Sequence, residues 1–162
     1  ENNFSPAVMN KDRTFHFLPY DFTLSNFELS FLKEALTLDG LHKHNLELYY
    51  NGEKDITDFR ILCYSHHNGN WKYVGRYTPD FLLLQRKSGK IYRALIIETK
   101  GSGFADQKTF LARKNFVETE FLKMNNDKFG YQRFEYLYLS DKDHMTTNLA
   151  KLNSSILNLF VD

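Results

Sequence analysis

The chain lacks three features that would place it in a particular class of protein. Cys63 is its only cysteine, so no disulfide can form within the chain and no zinc-binding pattern exists. No apolar run approaches the roughly 18 residues that a membrane-spanning helix needs. The net charge is only +1, from 21 basic and 20 acidic side chains, whereas nucleic-acid-binding domains usually carry more positive charge. Any binding of nucleic acid must therefore depend on a local basic surface or on other domains.

The composition that remains is typical of one folded domain. Apolar residues make up 42% of the chain and charged residues 25%, and 162 residues suffice for one domain with a single core. The aromatic content of 16% favours a fold that contains a sheet. A single thiol fits a reducing compartment, so we expect a cytoplasmic protein with no membrane partner. The chain begins at Glu1 rather than methionine, which suggests a segment of a longer polypeptide.

The pattern of apolar residues predicts one α/β domain, residues 1–162, with a mixed central sheet flanked by helices. Residues 1–24 show no clean period, and we expect an arm packed on the domain. Ser25 and Glu28 form the pattern of a capping box, and their helix should run to about Leu38. Residues 41–58 are ambiguous.

The remaining elements follow from apolar runs separated by turn residues. The predicted order is a strand at 59–66, a bent strand at 71–85, a strand at 91–100, a helix at 106–124, a strand at 133–139 and a helix at 147–160. The three consecutive strands should form a meander, and Gly75 and Pro79 mark the bend in the second of them. Residues 25–139 would form the core, and a C-terminal helix within 140–162 would close the domain.

Charged residues stand at the ends of the two most apolar strands. Asp80 opens one strand, and Glu98 and Lys100 close the next, "ALIIETKG". A three-residue loop at 88–90 would place Asp80 opposite Glu98, with Cβ atoms about 5 Å apart. A two-residue loop would place Ile97 there instead. Glu98 and Lys100 are two residues apart, so their side chains share one face of the strand.

A pair of carboxylates this close together needs something to offset its repulsion. The repulsion amounts to roughly 3 kcal/mol at an effective dielectric constant of about 20, and a proton, a cation or a lysine can offset it. Such a pair suits Mg²⁺, which keeps several waters and takes further ligands from a substrate phosphate. A lysine beside the ion can steady an attacking water or the charge that grows on a phosphate. The alternative is a structural ion pair of Lys100 with Asp80 or Glu98.

Two helices carry polar residues on faces that are otherwise apolar. Glu28 can serve as the capping residue of its own helix, yet it projects near the middle of the face that holds Phe31 and Leu32. We therefore expect it near the metal. Lys114 falls on the apolar stripe of the following helix, and Gln107 lies on the same flank. Both could face the ends of the strands, although lysines that extend from an apolar stripe to solvent are common.

These residues resemble the pattern of the PD-(D/E)XK nuclease superfamily. Pro79-Asp80 is followed some 18 positions later by Glu98-Thr99-Lys100, on two strands that lie between two helices. The resemblance covers residues 25–139 and implies a restriction-endonuclease-like core of a helix, a three-stranded meander, a helix and a strand. Within the superfamily, "RYTPDFLLL", "ALIIETKG" and "LSNFELSFLKEAL" are most similar to the C-terminal endonuclease domain of type III restriction enzyme Res subunits.

The resemblance assigns roles to the residues of the pattern. Asp80 and Glu98 would bind Mg²⁺, or Mn²⁺ as a substitute, together with the backbone carbonyl of Thr99. Lys100 would be the catalytic lysine, and Glu28 an auxiliary acid that reaches the metal or the water. Gln107 and Lys114 would then be candidates for substrate binding, as described for the helix above.

The resemblance also implies a function and partners. The chain would be a metal-dependent endodeoxyribonuclease of a restriction-modification system, with double-stranded DNA as its substrate. A helicase or translocase domain in the same chain and a modification subunit would be its partners. A repair nuclease or junction resolvase of the same fold is the alternative among enzymes, and a non-catalytic DNA-binding or assembly domain is the alternative outside them.

Overall fold

Five consecutive strands lie between two pairs of helices in the computed structural model, which describes residues 13–14, 25–52, 59–100 and 108–161. In chain order the elements are α1 (Asn26–Ala35), α2 (Asp39–Lys43), β1 (Leu46–Tyr50), β2 (Ile61–His67), β3 (Asn70–Tyr77), β4 (Phe81–Lys87), β5 (Lys90–Lys100), α3 (Lys108–Phe116), α4 (Leu122–Phe129), β6 (Phe134–Ser140) and α5 (Met145–Phe160). A π-helical turn, Val117–Phe121, joins α3 to α4. The predicted arm at 1–24 lies outside the described residues, except for positions 13 and 14.

The first helix begins as its sequence predicts. The backbone N–H of Ser25 donates to Glu28 Oε2 at 2.6 Å, and the backbone N–H of Glu28 donates to Ser25 Oγ at 3.2 Å. This capping box is confirmed. The helix ends at Ala35, three residues before the predicted end at Leu38, and buries Phe31 on its inner face.

The central sheet is mixed, as predicted. It has four strands in the order β1-β4-β5-β6, in which β1, β4 and β5 pair antiparallel and β6 pairs parallel with β5. In a second sheet β2 pairs antiparallel with β3. The chain therefore has the α/β architecture that its apolar pattern predicts, with an additional small sheet. No helix among residues 25–52, 59–100 and 108–161 combines the length and the apolar character needed to cross a membrane.

The central sheet is covered on both faces. One face packs against α1 and α5 in a core that includes Phe31, Leu83, Leu95, Ile97, Leu152 and Ile156. The other packs against the small sheet and α3 in a core that includes Ile61, Cys63, Tyr77, Ile96, Phe110 and Phe116. Strand β5 is consequently buried from Ala94 through Thr99, which is the reason for its continuous apolar run.

The predicted three-stranded meander is corrected by the structure. The segment expected to form one bent strand is two strands, because β3 ends at Tyr77 and β4 begins at Phe81 in a different sheet. Pro79 lies at the break and cannot donate a backbone hydrogen bond. Asn51 holds the break, since its side-chain amide donates to the Pro79 carbonyl at 3.0 Å and its backbone N–H donates to the Asp80 carbonyl at 2.6 Å.

Strand β1 forms part of the segment whose sequence is ambiguous. It pairs with β4 from Leu46 opposite Gln85 to Tyr50 opposite Phe81. Its alternating burial, with inward residues at every second position, is that of an edge strand with one face on a core. The later helices and the last strand lie where they are predicted, although the helix after β5 continues as α4 to Phe129.

The hairpin of β4 and β5 has the expected register, but its loop differs from the predicted one. Its loop has two residues, Ser88 and Gly89, both with positive φ (52° and 74°). A bulge then shifts the pairing, because Gln85 pairs with Arg93 but Arg86 pairs with Ile91. The predicted three-residue loop is therefore wrong. The pairing of Phe81 with Ile97 nevertheless gives the strand ends the register that a longer loop would give.

Burial on both faces predicts how β5 responds to truncation. Leu95 is 0% exposed, so Leu95→Ala should lower the free energy of unfolding by about 2–5 kcal/mol through the cavity it leaves. Leu157 is 52% exposed on α5, and Leu157→Ala should change it by no more than about 0.5 kcal/mol. Urea unfolding measures both. Equal losses for the two variants would contradict the position of β5 at the centre of the sheet.

Candidate functional site

The end of β5 delivers polar side chains to both faces of the buried sheet. Glu98 follows Ile96 on the face toward the small sheet and α3, and Thr99 follows Ile97 on the face toward α1. Glu98 is 1% exposed and Thr99 is 5% exposed. A charged side chain this deeply buried needs partners for its oxygens.

Both oxygens of the Glu98 carboxylate have partners. Lys100 Nζ lies 3.0 Å from Oε1, and the Tyr77 hydroxyl donates to Oε2 at 2.6 Å. The Tyr136 hydroxyl lies 3.3 Å from that of Tyr77 and extends the network toward β6. Burial raises the pKa of Glu98 above its ordinary value, while Lys100 and Tyr77 oppose the rise. The carboxylate is therefore held in a fixed orientation.

Asp80 lies in the break before β4 and meets the end of β5 across the hairpin. Its Oδ2 accepts from the backbone N–H of Thr99 at 2.8 Å and from the Thr99 hydroxyl at 2.9 Å. Burial and the neighbouring charge of Glu98 raise the pKa of Asp80 to about 7, although the bonds from Thr99 act in the opposite direction. The expected meeting of Asp80 with the last residues of β5 is thus present.

Lys100 stands between the two carboxylates and solvent. Burial lowers the pKa of its ammonium, but the charge of Glu98 and the bond between them raise it overall. Its Nζ also lies 5.1 Å from the centre of the Phe110 ring, within reach of a cation–π interaction. The side chain is 28% exposed, so a fixed positive charge faces the cavities described next.

Three cavities open around this group of residues. One of about 270 Å³ is bounded by Glu98 and Lys100, and one of about 460 Å³ by Glu28, Asp80, Thr99 and Lys100. A third of about 480 Å³ reaches Asp80 from the side of Asn51. The carboxylates of Asp80 and Glu98 can therefore be approached from both faces of the sheet.

Glu28 takes part in the capping box and also lies beside the cavity of Asp80. Its Oε2 is engaged in the capping box with Ser25, yet the side chain lines the same cavity as Asp80, Thr99 and Lys100. Its charge also contributes to the raised pKa of Asp80. Glu28 therefore contributes to the electrostatic field of the site while it caps α1.

Of the two substrate-binding residues expected on the helix after β5, the structure describes Lys114 alone. Gln107 falls outside the described residues. Lys114 Nζ bonds both carboxylate oxygens of Glu118 at 2.8 Å, and it lies 5.4 Å from the centre of the Tyr138 ring. Arg113, one residue earlier, is the helix cation that lines the cavity beside Glu98.

Sequence reasoning missed two arginines that line the cavities. Arg76 borders both the Glu98 cavity and the Asp80 cavity, and neither it nor Arg113 forms an ion pair within the described ranges. Arg113 lies against Gly75, where an added Cβ would come within 2.7 Å of a guanidinium nitrogen. Gly75 has a φ of 130°, and a glycine inside a strand is the sequence signal of such a close approach.

The group of side chains suits one kind of metal ion. Within residues 25–52, 59–100 and 108–161, no three histidine, cysteine or acidic side chains are placed to hold a metal. Mg²⁺ does not require such a cage, since it is bound through one or two carboxylates and keeps several waters. Asp80, Glu98 and the Thr99 carbonyl supply only oxygen ligands. A cation there would also offset the repulsion that raises the pKa of Asp80.

Comparisons with protein-family models, curated proteins and solved structures find no significant match to this chain. Its function must therefore be inferred from the geometry of Asp80, Glu98 and Lys100. The residue pattern that contains these three side chains is the other source of inference.

The raised pKa of Asp80 predicts how metal-free stability depends on pH. Its pKa is about 7 in the folded protein and about 3.9 in an unfolded chain, so the folded state holds more protons between these values. The free energy of unfolding should therefore fall as the pH rises from about 4 to about 7. Asp80→Asn keeps an acceptor for Thr99 but cannot titrate, and it should flatten this fall. Urea unfolding in chelator measures it, and identical slopes for both proteins would contradict the burial of a charged Asp80.

Proposed function

We propose that the chain is a Mg²⁺-dependent endonuclease domain of the PD-(D/E)XK type that hydrolyses phosphodiester bonds in DNA. The observation that carries the proposal is the meeting of Asp80, Glu98 and Lys100 at the ends of β4 and β5. Two carboxylates and a lysine are the residue types that the resemblance assigns to the catalytic site. The burial of Glu98 and the open cavities beside all three side chains are what such a site requires.

The finer description of the fold belongs to the same proposal. We propose that α1, β4, β5, α3 and β6 form a restriction-endonuclease-like core. In support, an antiparallel hairpin is followed by a helix and by a strand parallel to the second hairpin strand. The first helix brings Glu28 to the cavity that also contains Asp80.

Different residues would hold the metal ion and the phosphodiester. Asp80, Glu98 and the Thr99 carbonyl would hold Mg²⁺. The bound ion would polarise the scissile phosphate and lower the pKa of a water, which is the chemistry that phosphodiester hydrolysis needs. Thr99 fixes the orientation of Asp80 through two hydrogen bonds, and Tyr77 fixes that of Glu98 through one.

Lys100 provides the positive charge that phosphodiester hydrolysis requires near the reacting phosphate. Its raised pKa keeps the ammonium charged at neutral pH, so it can orient the attacking water and stabilise charge on the phosphate. Arg76 and Arg113 line the same cavity and suit the binding of phosphate oxygens through paired N–H groups. The products would carry a 3′-hydroxyl and a 5′-phosphate, as the superfamily resemblance implies.

The biological setting follows from the resemblance and the charge. We propose a cytoplasmic type III restriction enzyme, with double-stranded DNA as substrate, a helicase or translocase domain in the same chain and a modification subunit. The net charge of +1 fits a cleavage domain that relies on other domains to hold DNA. A repair nuclease or junction resolvase would use the same side chains.

One observation favours a non-catalytic role as the second candidate. Lys100 already bonds Glu98 at 3.0 Å, and Glu28 is engaged by Ser25, so these charges have structural partners. A DNA-binding or assembly domain could retain these pairs for stability alone. The metal dependence of stability and cleavage separates the two candidates.

Removing single members of the site should separate their roles. Asp80→Asn and Glu98→Gln should each reduce Mg²⁺-dependent plasmid cleavage at least about 100-fold and remove the rise in melting temperature that Mg²⁺ causes. Lys100→Ala should reduce cleavage by a similar factor but leave the rise intact or larger, because a positive charge opposes the ion.

Lys151→Ala is the matched control, because Lys151 pairs with Asp143 on the exposed surface, at 2.6 Å. It should cleave and melt as the wild type does. Wild-type cleavage by Lys100→Ala would leave Lys100 as a structural partner of Glu98 only. A folded protein whose melting temperature ignores millimolar Mg²⁺ would contradict the metal site itself.

A further inference from the structure

The hairpin of β2 and β3 presents an aromatic surface that the cleavage chemistry does not use. Its cross-strand pairs place three couples of side chains on the outer face: Leu62 with Arg76, Tyr64 with Tyr73, and His66 with Trp71. Trp71 is 52% exposed and Tyr73 is 51% exposed. The other face of the hairpin packs into the core and stabilises it. Packing in the core does not explain why these rings are exposed.

The exposed rings form a cluster of contacting pairs. The Tyr64 and Tyr73 rings lie 5.7 Å apart, and the His66 and Trp71 rings lie 5.0 Å apart. Beside them Tyr64, Trp71, Phe116 and Met124 line an open apolar cavity of about 270 Å³. The paired rings meet edge to face, at 64° and 71°, so a planar ligand can stack on the exposed face of a single ring.

The charge of the hairpin is of one sign. Residues 60–77 contain Arg60, Lys72 and Arg76 and no aspartate or glutamate, although the whole chain has nearly equal numbers of acidic and basic residues. Of these cations the pairing places Arg76 on the outer face with the rings, and exposed rings beside an arginine and without acids complement a polyanion that carries planar groups. Each nucleotide of a single strand carries a planar base and a phosphate, which match the rings and the arginine together, and this favours nucleic acid over a protein partner.

The outer-face pairs of the hairpin extend from the aromatic rings toward the candidate site. The pairs run from His66–Trp71 near the turn, through Tyr64–Tyr73, to Leu62–Arg76 near the end of β3. Arg76 then lines the cavities that reach Glu98 and Asp80. A chain of nucleotides that lay along this face would therefore lead into the group of carboxylates.

We infer that the outer face of the β2–β3 hairpin binds unpaired nucleotides that flank the phosphodiester at the candidate site. Bases stack on Trp71 and Tyr73, and Arg76 contacts the phosphate between them and the carboxylates. The bases must be unpaired, because a base pair within a duplex has both faces covered by its neighbours. The inference deepens the proposed function and rests on it for the direction of the strand. It adds to the proposed function that the double-stranded DNA is unpaired over a short segment beside the cut.

Tryptophan fluorescence tests the inference directly, because Trp71 is the only tryptophan of the chain. In chelator, where cleavage cannot occur, an oligothymidylate added at low salt should quench the emission of Trp71. A blunt duplex with the same number of phosphates should quench it far less. Tyr73→Ala keeps the reporter and should weaken oligothymidylate binding roughly 5- to 100-fold.

Two further variants complete the experiment. Trp71→Ala, followed by the anisotropy of a labelled oligothymidylate, should weaken binding by a similar factor. Phe129→Ala removes an aromatic side chain that is 43% exposed elsewhere on the surface, and it should bind as the wild type does. Absence of quenching, or unchanged affinity in both Tyr73→Ala and Trp71→Ala, would overturn the inference and leave the surface to a protein partner.

Asp80→Asn distinguishes the failure of this inference from failure of the proposed function. It lacks a carboxylate of the site but keeps the hairpin, so it should bind oligothymidylate at least as tightly as the wild type. Quenching in a protein that never cleaves with Mg²⁺ would remove the proposed nuclease and retain the binding surface. Mg²⁺-dependent cleavage without quenching would retain the nuclease and remove the surface.

Discussion

The half-buried carboxylate of Asp80 and the buried carboxylate of Glu98 repel each other, and the rest of the site depends on how this repulsion is offset. Thr99 donates two hydrogen bonds to Asp80, while Tyr77 and Lys100 engage the two oxygens of Glu98. These bonds do not fully compensate, because the pKa of Asp80 remains raised to about 7. In the proposed nuclease, a bound cation would complete the charge balance.

Each element around β5 contributes to that arrangement. Burial of β5 on both faces removes water from Glu98 and Thr99, and the break at Pro79 frees Asp80 from a strand so that its side chain can turn toward Thr99. The small sheet brings Tyr77 to Glu98. Because the same sheet carries the exposed aromatic face, the residue that orients Glu98 and the proposed nucleotide surface belong to one hairpin.

Features that depend on neighbouring residues could be predicted from the sequence, whereas features that depend on long-range contacts could not. The capping box of Ser25 and the apolar run of β5 depend on neighbouring residues, so they can be recognised in the sequence. The register of the β4–β5 hairpin was expected from a three-residue loop, and the structure reaches it through a two-residue loop and a bulge. Arg113 was missed because its place beside Gly75 depends on how α3 packs across β3, for which the glycine gave the single local signal.

Anomalous diffraction from crystals grown with MnCl₂ tests the central claim most directly, because it locates the metal without depending on activity. We expect one or more anomalous peaks within coordination distance of Asp80 and Glu98, with the Thr99 carbonyl as a further ligand. Lys100 should then have moved from the position in which it lies 3.0 Å from Glu98. A well-ordered structure in millimolar Mn²⁺ that has no peak at these carboxylates, and in which Lys100 still bonds Glu98, would contradict a metal-dependent site.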